Sequence, residues 1–185
     1  MDGTMKHTPP IQRLLALPLL LAMAGCTTTS GHAPIIQRSD FDGSRVVDID
    51  PHGGICSIAK TCVNLGAQWS STHPDRAFLR IQLSGAEYLG IQSAQLNIDG
   101  NVVDLQPGAT PTDYDNPSGV LRESTQTFAV PLDVVRRITM AHRVWVRVGT
   151  TSGTVDGAVI DGSQDSKAYN ALKRFIAQVD QKQAP

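Results

Sequence analysis

The sequence is short of most residues that announce a chemistry. Aromatics make up 5% of its 185 residues. Charged residues make up 18%, below the roughly 25% of an average soluble domain. Neither sign of charge dominates, with 16 Lys+Arg against 17 Asp+Glu, which argues against the basic stripe on which nucleic-acid binding depends. There is no G-x-S-x-G elbow, no H-E-x-x-H and no Walker-type glycine loop, so none of these motifs indicates a hydrolase or nucleotide enzyme. Strands and helices do not alternate in the way that builds a parallel nucleotide-binding sheet, and no internal repeat is present. No apolar run reaches the ~20 residues of a membrane-crossing helix. No catalytic residue is therefore assigned and no cofactor is expected. The 41% of hydrophobic residues is enough to build a core and excludes wholesale disorder. The length predicts a single domain.

The longest apolar run lies at the start. Lys6, His7 and Arg13 precede Leu14-Leu15-Ala16-Leu17-Pro18-Leu19-Leu20-Leu21-Ala22-Met23, a stretch of the length of a secretory h-region. The small residues Ala24 and Gly25 then lead into Cys26. This arrangement resembles the lipobox of bacterial lipoproteins, in which Leu, a small residue, and Gly or Ala precede the lipidated Cys; here Met23 stands in the Leu position. The resemblance covers the targeting segment alone. It implies that residues 1–25 are a lipoprotein signal peptide and that Cys26 becomes the lipidated N-terminus of the mature chain. Several acyl chains, at about 0.8 kcal/mol per buried methylene, anchor stably where one does not. Thr27 stands where members of the family held at the inner membrane tend to carry Asp, which implies the outer membrane, facing the periplasm. Residues 26–40 are rich in Thr, Ser, Gly and Pro without a period and read as lipidated Cys and flexible tether, spanning roughly 20 Å. Residues 41–182 read as a single periplasmic domain.

With Cys26 spent on lipid, Cys56 and Cys62 remain. An even pair in an oxidising compartment reads as a disulfide. The sharper alternative is a zinc or copper site built from His52, Cys56, Cys62 and His73, or a redox role for the two cysteines. The spacing H-x3-C-x5-C-x10-H fits no zinc-finger pattern, and a thioredoxin-like motif has two residues between its cysteines rather than five.

The folded part reads as α+β: a β-rich antiparallel sheet or sandwich with a short helix near 131–141 and a C-terminal amphipathic helix near 164–180. Alternation marks strands at Val46–Asp50, stopping at Pro51, and at Ala77–Leu83. Gly66–Trp69 is a further short strand. Ala94–Ile98 and Val102–Leu105 form a hairpin, with Gly100-Asn101 expected as its turn so that Ile98 faces Val103 and Leu96 faces Leu105. Residues 106–122 read as a long loop, and Ser124–Val130 as a strand. Pro131 suits a first helical position, with His142 ending that helix. Arg143–Thr150 and Thr154–Ile160 form a bulged hairpin around Thr151-Ser152-Gly153, expected to pair Val146 with Ala158 and Val144 with Ile160. Ser163 or Asp165 is expected to cap the last helix, where Ala168, Tyr169, Leu172, Phe175, Ile176 and Val179 recur at helical spacing.

Alternation puts Arg143, Trp145 and Arg147 on one strand face and Val144, Val146 and Val148 on the other. Trp flanked by Arg is suited to gripping sugars, phosphates or a partner chain. Against this, an amphipathic helix must bury its stripe on some sheet face. The expectation is therefore that the C-terminal helix covers Trp145 and the Arg stems snorkel around it. Asp113–Gly119 departs from the calcium-binding EF-hand loop at Pro117 and lacks a Glu at its twelfth position, so it reads as a solvated turn. Asp48, Asp50 and His52 read as the solvent face of a half-buried strand. The functional expectation is an outer-membrane-anchored, non-catalytic binding or structural module of the cell envelope. Its partners would be the membrane and an envelope protein, peptidoglycan or glycan, with no nucleic acid. The alternatives are the metal or redox lipoprotein, and an envelope hydrolase using His52, His73 or His142.

Overall fold

The computed structural model describes Met1, residues 31–57 and residues 60–181. The expected signal peptide and Cys26 lie outside the described residues. The chain is an α+β fold in which one antiparallel sheet curls around its own apolar face. The strands are β1 (Ile35–Arg38), β2 (Arg45–Gly53), β3 (Cys62–Ser70), β4 (Arg76–Gly85), β5 (Ile91–Ile98), β6 (Asn101–Pro107), β7 (Asp113–Asp115), β8 (Arg122–Pro131), β9 (Arg143–Thr150), β10 (Gly153–Asp161) and β11 (Gln164–Asp165). The helices are α1 (Leu132–Met140) and α2 (Lys167–Asp180). Strand order is β1-β2-β3-β4-β8-β6-β5-β9-β10-β11, with β7 added to β8.

Period-two alternation drives the sheet. Ala77, Leu79, Ile81 and Leu83 of β4, Phe128 and Val130 of β8, and Val144, Val146 and Val148 of β9 are all buried on the inner face. Beyond β2 the chain reaches the far side of the curl. The Ile55 amide donates to the Ala158 carbonyl of β10 at 2.7 Å, and Gly157 passes so close to β3 that a Cβ there would sit 2.7 Å from the Val63 side chain. The two helices cover the inner face and join one continuous core with it, in which Leu172 and Phe175 of α2 and Ile138 of α1 are fully buried.

Each end of α2 is held by hydrogen bonds. The Ser166 hydroxyl accepts from the Tyr169 amide at 3.1 Å, satisfying a first-turn N–H that the helix leaves unpaired. At the other end Arg45 of β2 donates to the carbonyls of Gln178 and, at 3.0 Å, Gln181, placing a cation where the helix dipole favours one. The Arg45 guanidinium also lies over the Trp69 ring, 5.6 Å from its centroid.

Several local expectations are corrected. The β5–β6 turn is Asp99-Gly100, so that Ile98 pairs with Asn101 and Leu96 with Val103. A two-residue type I′ turn needs positive φ at both central positions; Asp99 has φ 49° and Gly100 φ 90°. The Asp99 carboxylate then accepts from the amides of His142 and Arg143 at 3.1 and 2.7 Å, tying the turn to the start of β9. The β9–β10 turn is the tighter one, pairing Thr150 with Gly153 and Val146 with Gly157; a bulge between Ala158 and Ile160 restores the Val144–Ile160 pair. β2 continues through Pro51 by way of a bulge between Ile49 and His52. The extra residue reverses the alternation, so His52 joins the buried face instead of sharing the outer one with Asp48 and Asp50. Residues 106–122 include the end of β6 and all of β7. Ser166, rather than Ser163 or Asp165, caps α2. Pro131 is the N-cap of α1 and Ala141 its C-cap. Of the stretch expected as tether, Ile35–Arg38 is a strand paired to β2.

Candidate binding face around Trp145

The expected alternation of β9 holds. Val144, Val146 and Val148 are buried while Arg143 and Arg147 are exposed, with Trp145 half-buried between them. The expected cover is absent, because α2 packs on the other face, against β2 and β3. The curl explains this: the inner face is where the sheet encloses a volume that only the helices can fill, and the helices bury their apolar stripes there. Arg143, Trp145 and Arg147 therefore sit on the outer face.

Neighbouring strands complete the arrangement. Register sets Asn97 of β5 and Ala158 of β10 on either side of Trp145, and Gln95 and Asp156 on either side of Arg147. Arg147 forms a two-pronged bond with Asp156, both contacts at 2.9 Å. Arg143 pairs with Asp161 at 3.0 Å, and its guanidinium lies 5.7 Å from the Trp145 ring centroid. The fork from Arg147 holds the Asp156 carboxyl below its ordinary range, and the same contact raises the Arg147 guanidinium. Both groups stay charged throughout the neutral range.

Trp145 divides two open grooves. One, of about 310 Å³, crosses β6, β5, β9 and β10 and is lined by Gln95, Asn97, Val102, Arg143, Arg147 and Asp156. The other, of about 270 Å³, runs between β10 and the segment around Cys56–Cys62. The indole Nε1 is shielded from solvent and has no hydrogen-bond partner among the described residues. A buried N–H without an acceptor costs free energy, so the aromatic centre of this face holds an unused donor. The arrangement has chemical capacity for binding: an apolar ring, amides at Gln95 and Asn97, and two internally compensated ion pairs.

Cys56 and Cys62 form a disulfide, with Cα atoms 5.5 Å apart. The other members of the alternative metal set are not brought to it. His52 is buried, donating from Nδ1 to the Asp50 carbonyl at 2.6 Å and accepting at Nε2 from the His32 amide at 3.0 Å, so both ring nitrogens are engaged. His73 lies in the β3–β4 turn, bonded to Thr72. Cys62 starts β3 and His73 follows its end, which separates them by about 25–30 Å at the rise of an extended strand. No cluster of three or more His, Cys, Asp or Glu able to hold a metal occurs among the described residues. His142 is exposed beside the start of β9. Asp48 is half-buried and ion-paired with Arg80, which also reaches Asp50 at 3.8 Å. Burial raises the Asp48 carboxyl despite the opposing pull of Arg80.

The partners Asp156 and Asp161 escaped the sequence reading, although one signal for the first was present. A one-residue slip in the β9–β10 register sets Arg147 opposite Gly157 and hides its fork with Asp156. Gln95 and Asn97 arrive through β5–β9 pairing across more than forty residues, which no local pattern encodes. Comparison with family models, with curated proteins and with solved structures finds no match to this chain, so its site rests on its own geometry.

Proposed function

We propose that the chain is a lipid-anchored, non-catalytic binding module of the bacterial envelope. It would be held at the periplasmic face of the outer membrane through Cys26 and would engage an envelope protein or glycan through the Trp145 face. The observation that carries the binding role is Trp145 itself: half-buried on a sheet face that α2 leaves open, flanked by two ion-paired arginines, with its indole N–H unpartnered among the described residues. The lipobox resemblance at Met23–Cys26 supports the anchor.

Two experiments test the reading. Membrane fractionation of cells making the full chain should recover it in the outer membrane, and Cys26→Ala should release it; unchanged partitioning of the variant removes the anchor. For the binding role, the purified lipidated protein is sedimented with isolated peptidoglycan sacculi, and a photo-crosslinking residue at Gln95 or Asn97 is activated in cells. Retention on sacculi or a discrete adduct, lost in Trp145→Ala, is expected. Absence of both in the wild type overturns the reading.

A further inference from the structure

The anchored chain has less slack than its composition implies, and this orients the domain. His32 is fixed at both backbone groups: its amide donates to His52 Nε2 at 3.0 Å and its carbonyl accepts from Arg174 at 3.1 Å. From Cys26 to Gly31 the chain spans five residues, at most about 17 Å when fully extended. The anchor therefore reaches only the end of the sheet near His52.

Register identifies that end. His52 pairs with Leu65, Leu65 with Ile81 and Ile81 with Gln126. Following β8 from Gln126 toward its start leads to Arg122, opposite Gly85 at the end of β4. Beyond Arg122 the β7–β8 hairpin projects. Its tip, residues 116–121, carries no charged residue, and within it Val120 is 76% and Leu121 48% exposed. Behind the tip Tyr88 and Tyr114 meet edge to face at 5.5 Å, 44% and 51% exposed, with Arg122 over the Tyr88 ring. Charged residues resume at Asp115 on one side and Arg122 on the other, followed by the Glu123 paired to Asp115. The opposite end of the sheet carries the exposed Phe41 between Asp40 and Asp42. It lies about 20 Å along the strands from the His52 level, outside the anchor's reach.

An uncharged tip with two aliphatic side chains, backed by tyrosines and an arginine, has the layering of a group that enters a lipid headgroup region: apolar atoms deepest, amphipathic rings and a cation behind them. We propose that the β7–β8 tip docks on the lipid surface to which Cys26 attaches the chain, with Val120 and Leu121 inserted and Tyr88 and Tyr114 at headgroup level. This rests on the lipid anchor proposed above.

The test uses the lipidated full chain reconstituted into vesicles of phosphatidylethanolamine with a minority of phosphatidylglycerol. An environment-sensitive fluorophore is attached at Val120→Cys and, separately, at Phe41→Cys as control. Vesicle flotation is read first, then quenching by lipids spin-labelled along the acyl chain. The expected result is flotation of both, a blue-shifted and quenched label at 120, and an unquenched label at 41. Adding Leu121→Asp to the labelled Val120→Cys protein should reduce its quenching toward the control level. Flotation with equal, negligible quenching at 120 and 41 leaves the anchor standing and overturns the docking. A blue shift at 120 without lipid quenching also overturns it, in favour of a protein covering the tip. Failure to float overturns the anchor and the docking with it.

Discussion

Two outer faces of the same sheet answer the same demand differently. On β2, β3, β4 and β8 the polar side chains close on one another. Arg80 binds Asp48 and donates to the Ile49 carbonyl at 2.9 Å; Asn64 donates to Gln82 at 2.9 Å and Gln82 to Glu123 at 3.0 Å. On β5, β9 and β10 the ion pairs are separate, and between them stands an aromatic ring whose N–H has no acceptor among the described residues. Both faces read identically as polar positions of alternating strands. Each face leaves one buried N–H without an acceptor among the described residues, Nε of Arg80 and Nε1 of Trp145. The difference is that Arg80 is held by Asp48, Asp50 and the Ile49 carbonyl through its other nitrogens, whereas the indole has a single donor and it is unused.

The largest change that bears on this contrast is loss of the disulfide beside the Trp145 groove. Replacing Cys56 and Cys62 by Ser should lower stability by about 2–3 kcal/mol, measured by urea unfolding. On the networked face, Arg80→Ala strands the half-buried Asp48 and should cost about 1–3 kcal/mol; a cost near zero would show that the network is decoration. On the open face, Trp145→Phe should cost below about 1.5 kcal/mol, since it keeps a ring in place, while weakening capture in the sacculus or crosslinking assay. Equal losses of stability and capture would reduce the two faces to one kind. Arg147→Ala, which breaks an exposed pair, should change the urea-unfolding midpoint less still, because solvent screens such pairs.

The smallest effect expected is that of pH on the open face. Because Asp156 is depressed by Arg147, its stabilising contribution is present above the ordinary carboxylate range and is lost only as pH falls below about 4. Capture should therefore be flat from about pH 5 to about pH 8. A midpoint near neutrality in a pH series would implicate a histidine from outside the groove.

Legibility in the sequence followed the range of the interaction. The period of α2 and the alternation of β4 and β9 are local, and both are found where the residues place them. The side on which α2 lies is a property of the curl and is absent from any single segment, so the expected cover over Trp145 was misplaced. The β2 bulge depends on how Ile49 and His52 meet β3, and it moved His52 to the opposite face from its sequence neighbours Asp48 and Asp50. β7 was obscured by flanking Pro and Gly, because pairing to β8 rather than propensity makes Asp113–Asp115 extended.

The junction of Ile55 with Ala158 has a further consequence, for solubility. By bringing the long β10 against the end of β2 and β3, it limits the backbone open to recruitment by another chain. The sheet's terminal strands are β1, of four residues, and β11, of two. β11 pairs only Ile160 and Asp161 of β10, and the Ile55 bridge at Ala158 interrupts the edge that remains; an interrupted edge is a poor template for strand addition. Opening the junction would free the Ala158 carbonyl and lengthen the open edge of β10, turning a stability defect into an aggregation hazard.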